Sequence, residues 1–212
     1  MIVMDLETSG LYPERNGIWQ IGALEFENPS NYFIDECRID DEEYVEREAL
    51  EVTGKTEEEL RDENMQSQRE LLEKFFAWCE SVKIKNCICQ NPQFDLGFLG
   101  AKARKYGLKF PLPHRTFDMH SIGALRYFEI HEKLLIRDDK SDMGLGNILK
   151  MCGIEDKRKK MEKGVVVQEG NPHNALEDAK LTAECFSRIF YGKHLLNEFS
   201  QYKIPKYAEI KK

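Results

Sequence analysis

Apolar residues in the first forty positions come in short runs broken by turn formers, and beyond them mostly at helical spacing. Met1 to Thr8 reads as a buried strand that breaks at Ser9-Gly10. Ile18 to Phe26 and Tyr32 to Ile39 read as two more strands, with Asn28-Pro29-Ser30-Asn31 as their hairpin connection. Residues 42–63 are expected to form short charged helices around Gly54. Leu71, Leu72, Phe75, Phe76, Cys79 and Val82 mark one face of an amphipathic helix, and Asn86 to Gln90 a short strand after it. Asn91-Pro92-Gln93 turns the chain into a helix from Phe94 to Tyr106. Arg115 to Met119 is the last candidate strand, and Ser121 to Phe128 and Leu145 to Cys152 are read as helices separated by a polar loop, 129–143. Residues 155–171 are charged and irregular, with Gly164 and Gly170 near the ends of a valine run. Pro172 opens the strongest helix, whose apolar face is Ala175, Leu176, Ala179, Ala183, Phe186 and Phe190 and which stops at Gly192. This succession predicts an α/β fold, a mixed sheet flanked by helices on both faces.

Composition narrows the classes. At 212 residues and 41% hydrophobic content the chain suits one well-buried domain, read as residues 1–191 with a basic extension at 192–212. No run approaches the 18 or more apolar residues of a membrane span, and the first strand, starting at Met1, leaves no room for a signal peptide. A cytoplasmic protein with no membrane partner is therefore expected. Six cysteines without any C-x-x-C pair suggest reduced, buried thiols rather than a zinc site or disulfides. A net charge of −7 argues against a broad nucleic-acid-coating surface, but basic residues gather at Lys102, Arg104 and Lys105, at Lys157–Lys160 and in the tail. Such a distribution is compatible with a cleft enzyme acting on a polyanion. Gly54-Lys55-Thr56 imitates the end of a phosphate-binding loop, but the required earlier glycine is Ala49, which rejects that reading.

The candidate chemistry begins in the first strand. Asp5 and Glu7 are two apart, so they project from the same face about 7 Å from each other along the backbone. Two acids there either carry raised pKa values or hold a cation between them, and oxygen ligands suit Mg²⁺ or Mn²⁺. Asp95 and Asp178 lie in the first turns of two later predicted helices, and such element ends converge along one edge of an α/β sheet.

Asp5-Leu-Glu-Thr-Ser-Gly10, Asn91 to Asp95, and His173-Asn-Ala-Leu-Glu-Asp178 resemble, in order and spacing, the three motifs of the DEDDh 3′→5′ exonucleases, relatives of bacterial proofreading subunits and of ribonuclease T. Ile18 to Ala23 and Phe117-Asp118-Met119 resemble two further strands of that family, which has a ribonuclease-H-like fold. The position four before Asp178 is Asn174 rather than Tyr, which points to the histidine branch; Gln90 stands where many relatives have His. The resemblance covers about residues 1–191. It implies two divalent cations, Mg²⁺ or Mn²⁺, held by Asp5, Glu7, Asp95 and Asp178, with Asp5 bridging and Asp95 acting largely through bound water. It implies His173 as general base, substrate contacts at Thr8, Leu11, Asn91 and Phe94, and single-stranded DNA or RNA 3′ ends as partner, released as nucleoside 5′-monophosphates. Lys157–Lys160 are candidates for phosphate contact, Trp19 and Phe98 for core, Asp118 for a structural role. A non-catalytic interaction module and an endonuclease or strand transferase on the same fold are the competing readings; the former would not need the four acids and histidine, the latter would not need the third motif. DNA against RNA stays open.

Overall fold

The computed structural model describes residues 1–162 and 165–206. Its sheet contains β1 (Ile2–Thr8), β2 (Ile18–Glu25), β3 (Asn28–Glu36), β4 (Cys87–Cys89) and β5 (Phe117–Asp118), in the order β3-β2-β1-β4-β5. β1 pairs antiparallel with β2 and parallel with β4, and β4 pairs parallel with β5. The sheet is therefore mixed, with the C-terminal ends of its parallel strands along one edge. The helices are α1 (Arg47–Thr53), α2 (Glu57–Leu60), α3 (Gln68–Ser81), α4 (Pro92–Tyr106), α5 (Met119–His131), α6 (Leu145–Met151) and α7 (Ala175–Tyr191).

Strand alternation divides the core in two. The even residues of β1, Ile2, Met4 and Leu6, pack with Leu71 and Phe75 of α3 and Phe98 of α4. The odd residue Val3 faces the opposite layer with Ile148 of α6 and Ala179 and Phe186 of α7. Asp5 and Glu7 continue that odd series, so the strand periodicity itself aims them at α7. Trp19 and Phe98 are buried as expected, and all six cysteines are buried and free. Gly54 is the left-handed C-cap of α1, with φ of 73°, which accounts for the glycine in Gly-Lys-Thr.

The approach of α7 to the sheet depends on Gly22. A Cβ at that position would stand 2.0 Å from the backbone nitrogen of Leu176. The buried Gln20 then docks the helix start by accepting a hydrogen bond from the Ala175 N–H at 2.7 Å, and Asn174 caps it by accepting from Leu176 and Glu177.

Several local expectations change. The β2–β3 turn is Phe26-Glu27, and β3 already begins at Asn28, with Pro29 inside it. Pro is tolerated there because β3 is an edge strand with one side unpaired. The expected loop 129–143 instead continues α5 to His131 and forms a small hairpin of β6 (Ile136–Arg137) and β7 (Lys140–Ser141). Its turn residues Asp138 and Asp139 both have positive φ, so the hairpin forms without the glycine that would have signalled it. Residues 155–171 contain another hairpin, β8 (Lys160–Glu162) with β9 (Val165–Gln168); the expected punctuation at Gly164 lies outside the described residues. The described part of the tail packs back: Leu195, Leu196, Phe199 and Tyr202 join the α6/α7 core.

Candidate active site

Three elements deliver four acids to the C-terminal edge of the sheet. Asp5 and Glu7 come from β1 and Asp95 from the first turn of α4, which Asn91 turns off β4 by adopting φ of 62°. Asp178 comes from the first turn of α7. Glu7, Asp95 and Asp178 are all under 8% exposed, and the Asp5 carboxylate is enclosed although its residue keeps some accessible surface. Burial together with the charges of Asp178, Asp95 and Glu7 raises the pKa of Asp5 well above the usual carboxylate range. Burial and the charge of Asp178 push Glu7 up to about 8. Burial pushes Asp95 up to about 7, partly offset by hydrogen bonds from the backbone amides of Asp95 and Leu6.

His173 joins this group just before α7. Its Nδ1 lies 3.4 Å from Asp178 Oδ2, and its Nε2 is 3.0 Å from the carbonyl oxygen of Lys159. Burial disfavours the charged ring, but the hydrogen bond to Asp178 and the charge of that acid prevail and raise the histidine's pKa above 6.5.

The site fits a divalent cation. Glu7, His173 and Asp178 offer ligand atoms all within 4.8 Å of one another. Glu7 Oε1 and Asp178 Oδ1 are buried with no hydrogen-bond partner, a costly state for carboxylate oxygens unless something positive is meant to meet them. Two carboxylates and one imidazole, with no thiolate, suit a hard or borderline divalent cation.

Two cavities meet at Val52 and His173. One, about 360 Å³, is walled by Leu11, Ala49, Val52 and Phe94 and floored by Glu7. The other, about 470 Å³, is lined by Arg137, Asn147, Lys159 and Lys160. Thus Leu11 and Phe94 stand where a base could be held, and Thr8 also lines the apolar cavity, although its hydroxyl donates to the Gly10 carbonyl in a local turn. Asn91 does not line that cavity; it serves as the left-handed N-cap of α4. Asp118 is structural, capping α5 and accepting from the Asn91 N–H at 3.3 Å.

The basic run Lys157–Lys160 divides. Arg158 Nη1 donates to Asp178 Oδ2 at 2.9 Å, inside the site, and Lys159 Nζ donates to the Glu51 carbonyl at 2.7 Å. The sequence pattern offers this run as a candidate for phosphate contact and shows neither the guanidinium–acid contact nor the Lys159 carbonyl that holds His173. The one signal for the former is the Asp156-x-Arg158 spacing, which is too common to single out.

Known proteins agree with this architecture. An exonuclease family model, RNase_T, matches residues 2–186. The chain is 28% identical over 191 residues to the DNA polymerase III PolC-type of Thermotoga maritima, covering 89% of this chain but 12% of that far longer protein. Among solved structures, the nuclease domain of 3′hExo, a DEDDh family member bound to rAMP, superposes with a TM-score of 0.61 at 17% identity, covering 97% of this chain and 95% of that one. The zinc-bound form of the E. coli ExoI–ssDNA complex superposes with a TM-score of 0.58 at 16% identity, covering 86% of this chain and 38% of that one. The likeness to these structures is one of fold, the ribonuclease-H-like mixed sheet flanked by helices. With the family model spanning all three elements that carry the acids, the chain belongs to the RNase T exonuclease family.

Proposed function

We propose that this protein is a metal-dependent 3′→5′ exonuclease that removes nucleoside 5′-monophosphates from single-stranded DNA or RNA. The observation that carries the reading is the cluster of Glu7, His173 and Asp178, with its two unpartnered carboxylate oxygens, whose acids share their electrostatic field with Asp5 and Asp95. Two divalent cations, Mg²⁺ or Mn²⁺, held by these four acids would neutralise charge on the scissile phosphate and make a nucleophile of water.

The remaining work falls to the chain's own residues. Leu11 and Phe94 wall a cavity that suits the 3′-terminal base, with Thr8 also lining it. The polar cavity on the other side of His173, where Arg137, Lys159 and Lys160 stand among Asp142 and Asp156, suits the phosphates that follow. His173 accepts the proton of the attacking water; doing so requires release of one of its two present contacts, and its ring lines both cavities.

Matched single-stranded DNA and RNA labelled at the 5′ end test the reading with Mg²⁺, Mn²⁺ or EDTA present. A ladder shortening one nucleotide at a time from the 3′ end is expected, with a blocked 3′ terminus resistant and EDTA stopping the reaction. Internal cleavage, or full activity after exhaustive chelation, overturns it. The relative rates on the two strands assign the substrate.

A further inference from the structure

The acid cluster receives a cation from the chain itself, through a built bridge. Arg158 Nε and Nη2 lie 2.9 and 3.1 Å from Asp156 Oδ1 and Oδ2, which leaves the planar guanidinium's third nitrogen, Nη1, 2.9 Å from Asp178 Oδ2. The side chains of Asp156, Arg158 and Asp178 are 7, 13 and 6% exposed. Arg158 is held independently of the site. Lys160 backs Asp156 at 3.1 Å, and Gln168 of β9 donates to the carbonyls of both Asp156 and Arg158. A parallel bridge pairs Arg158 with Asn171, and Lys159 N–H donates to the Asn171 carbonyl at 2.7 Å. The guanidinium thus satisfies Oδ2 of Asp178 while Oδ1 stays buried and unpartnered, as does Glu7 Oε1.

We propose that Arg158 is the protein's own counter-ion for the acid cluster, stabilising the metal-free site and weakening divalent-cation binding there through its charge. The inference rests on the metal-dependent reading above. Two consequences of removing Arg158 oppose each other. Losing the hydrogen bond frees Asp178 to turn, and outer-shell partners of this kind are worth roughly 10–100-fold in metal affinity. Losing the charge removes a cation on the opposite oxygen of the same carboxylate from an incoming double charge. At an effective dielectric of about 20, the repulsion between a single and a double positive charge roughly 5 Å apart exceeds that 10–100-fold orientational gain. Charge therefore sets the sign, and the variant binds metal more tightly.

The test is Mn²⁺ titration without substrate, by calorimetry or paramagnetic resonance, alongside thermal melts in EDTA and in Mn²⁺. Arg158→Met is expected to bind Mn²⁺ at least ~10-fold more tightly than the parent. It should melt at a lower temperature in EDTA and gain more from Mn²⁺. Arg158→Lys keeps the charge but cannot span both acids, and should bind Mn²⁺ close to the parent's affinity. Unchanged or weaker binding by Arg158→Met overturns the proposal in favour of an orienting role for the hydrogen bond. Arg158→Gln serves the same comparison if the methionine variant does not fold. A parent protein that binds no Mn²⁺ removes the metal-dependent reading itself, an outcome distinct from a parent that binds and a variant that does not differ.

Discussion

Helix α7 carries two clusters of buried charge, and they are completed in opposite ways. Toward its C-terminus, Glu184 and Arg188 are wholly buried and fully partnered. Glu184 Oε1 accepts from Arg188 Nε at 2.8 Å and lies 3.2 Å from His194 Nδ1, while Oε2 accepts from the backbone N–H groups of Leu195 and Leu196. Arg188 donates further to the carbonyls of Cys152 and Phe199. At the other end of the helix, Asp178 and its neighbour Glu7 each keep a buried oxygen that nothing in the described residues meets. Burial is alike in the two places, so burial of charge does not by itself mark function. The difference is whether the chain supplies every partner, and only the incomplete cluster calls for a ligand from outside.

Substitution can break this comparison at either end. The largest effect is expected from Asp5→Asn or Asp178→Asn: loss of all detectable hydrolysis of labelled single strands, with the circular dichroism spectrum of the parent retained. Parental rates in either purified variant would end the claim that the incomplete cluster is the reaction centre. His173→Ala should reduce turnover by roughly 10²–10⁴-fold and should lose the limb of the pH–rate profile that the histidine's titration gives the parent. An identical profile in the variant would leave His173 as a side chain that only seats the start of α7.

At the completed cluster the sign of the readouts reverses. Arg188→Met leaves Glu184 buried without its main cation and should cost about 3–5 kcal/mol of stability in denaturant melts. Mn²⁺ affinity of the folded fraction should not move. A smaller, graded effect separates the clusters without mutation. The folded-state pKa of Glu7 is raised from 4.5 to about 8 and that of Asp95 from 3.8 to about 7, so both groups favour the folded state most below their unfolded values. That contribution is lost as pH rises through the folded values. Melting temperature in EDTA should therefore decline between about pH 4 and 8, and saturating Mg²⁺, which favours the ionised acids, should flatten or reverse the decline. A melting temperature in EDTA that is level or rising across this window would contradict the assignment of uncompensated buried acids.

The acids were legible in the sequence because each stands where an apolar run meets a turn or a helix start, and element ends of an α/β sheet gather at one edge. Asp5 and Glu7 needed only strand periodicity, and Asp178 only its place in the first turns of a strong helix, which the sequence opens at Pro172 and the structure at Ala175 after the Asn174 cap. The parts that failed to show were tertiary or locally weak. Arg158 reaches Asp178 from a charged segment with no periodicity, and the carbonyl of Lys159 that holds His173 has no side-chain signature at all. Strands of two to four residues in the small hairpins carry too few alternations to be read, and the Asp138-Asp139 turn lacks the glycine that marks such turns. The packed tail was read as an appendage because Leu195, Leu196 and Phe199 are too few to form a face, although Glu184 gathers the backbone around them.

Position 22 shows how far from the chemistry a reaction centre can be vulnerable. Even alanine there would meet the α7 backbone at 2.0 Å, and the strand, paired on both sides, has little freedom to yield. The helix would have to move, taking Asp178 and the preceding His173 with it, while Asp5 and Glu7 stayed on β1. A random screen for inactive variants should therefore recover substitutions at this residue among the acids themselves. Relieving a 2.0 Å approach takes a displacement of an ångström or more, so such variants would be inert with every ligand residue still in the chain.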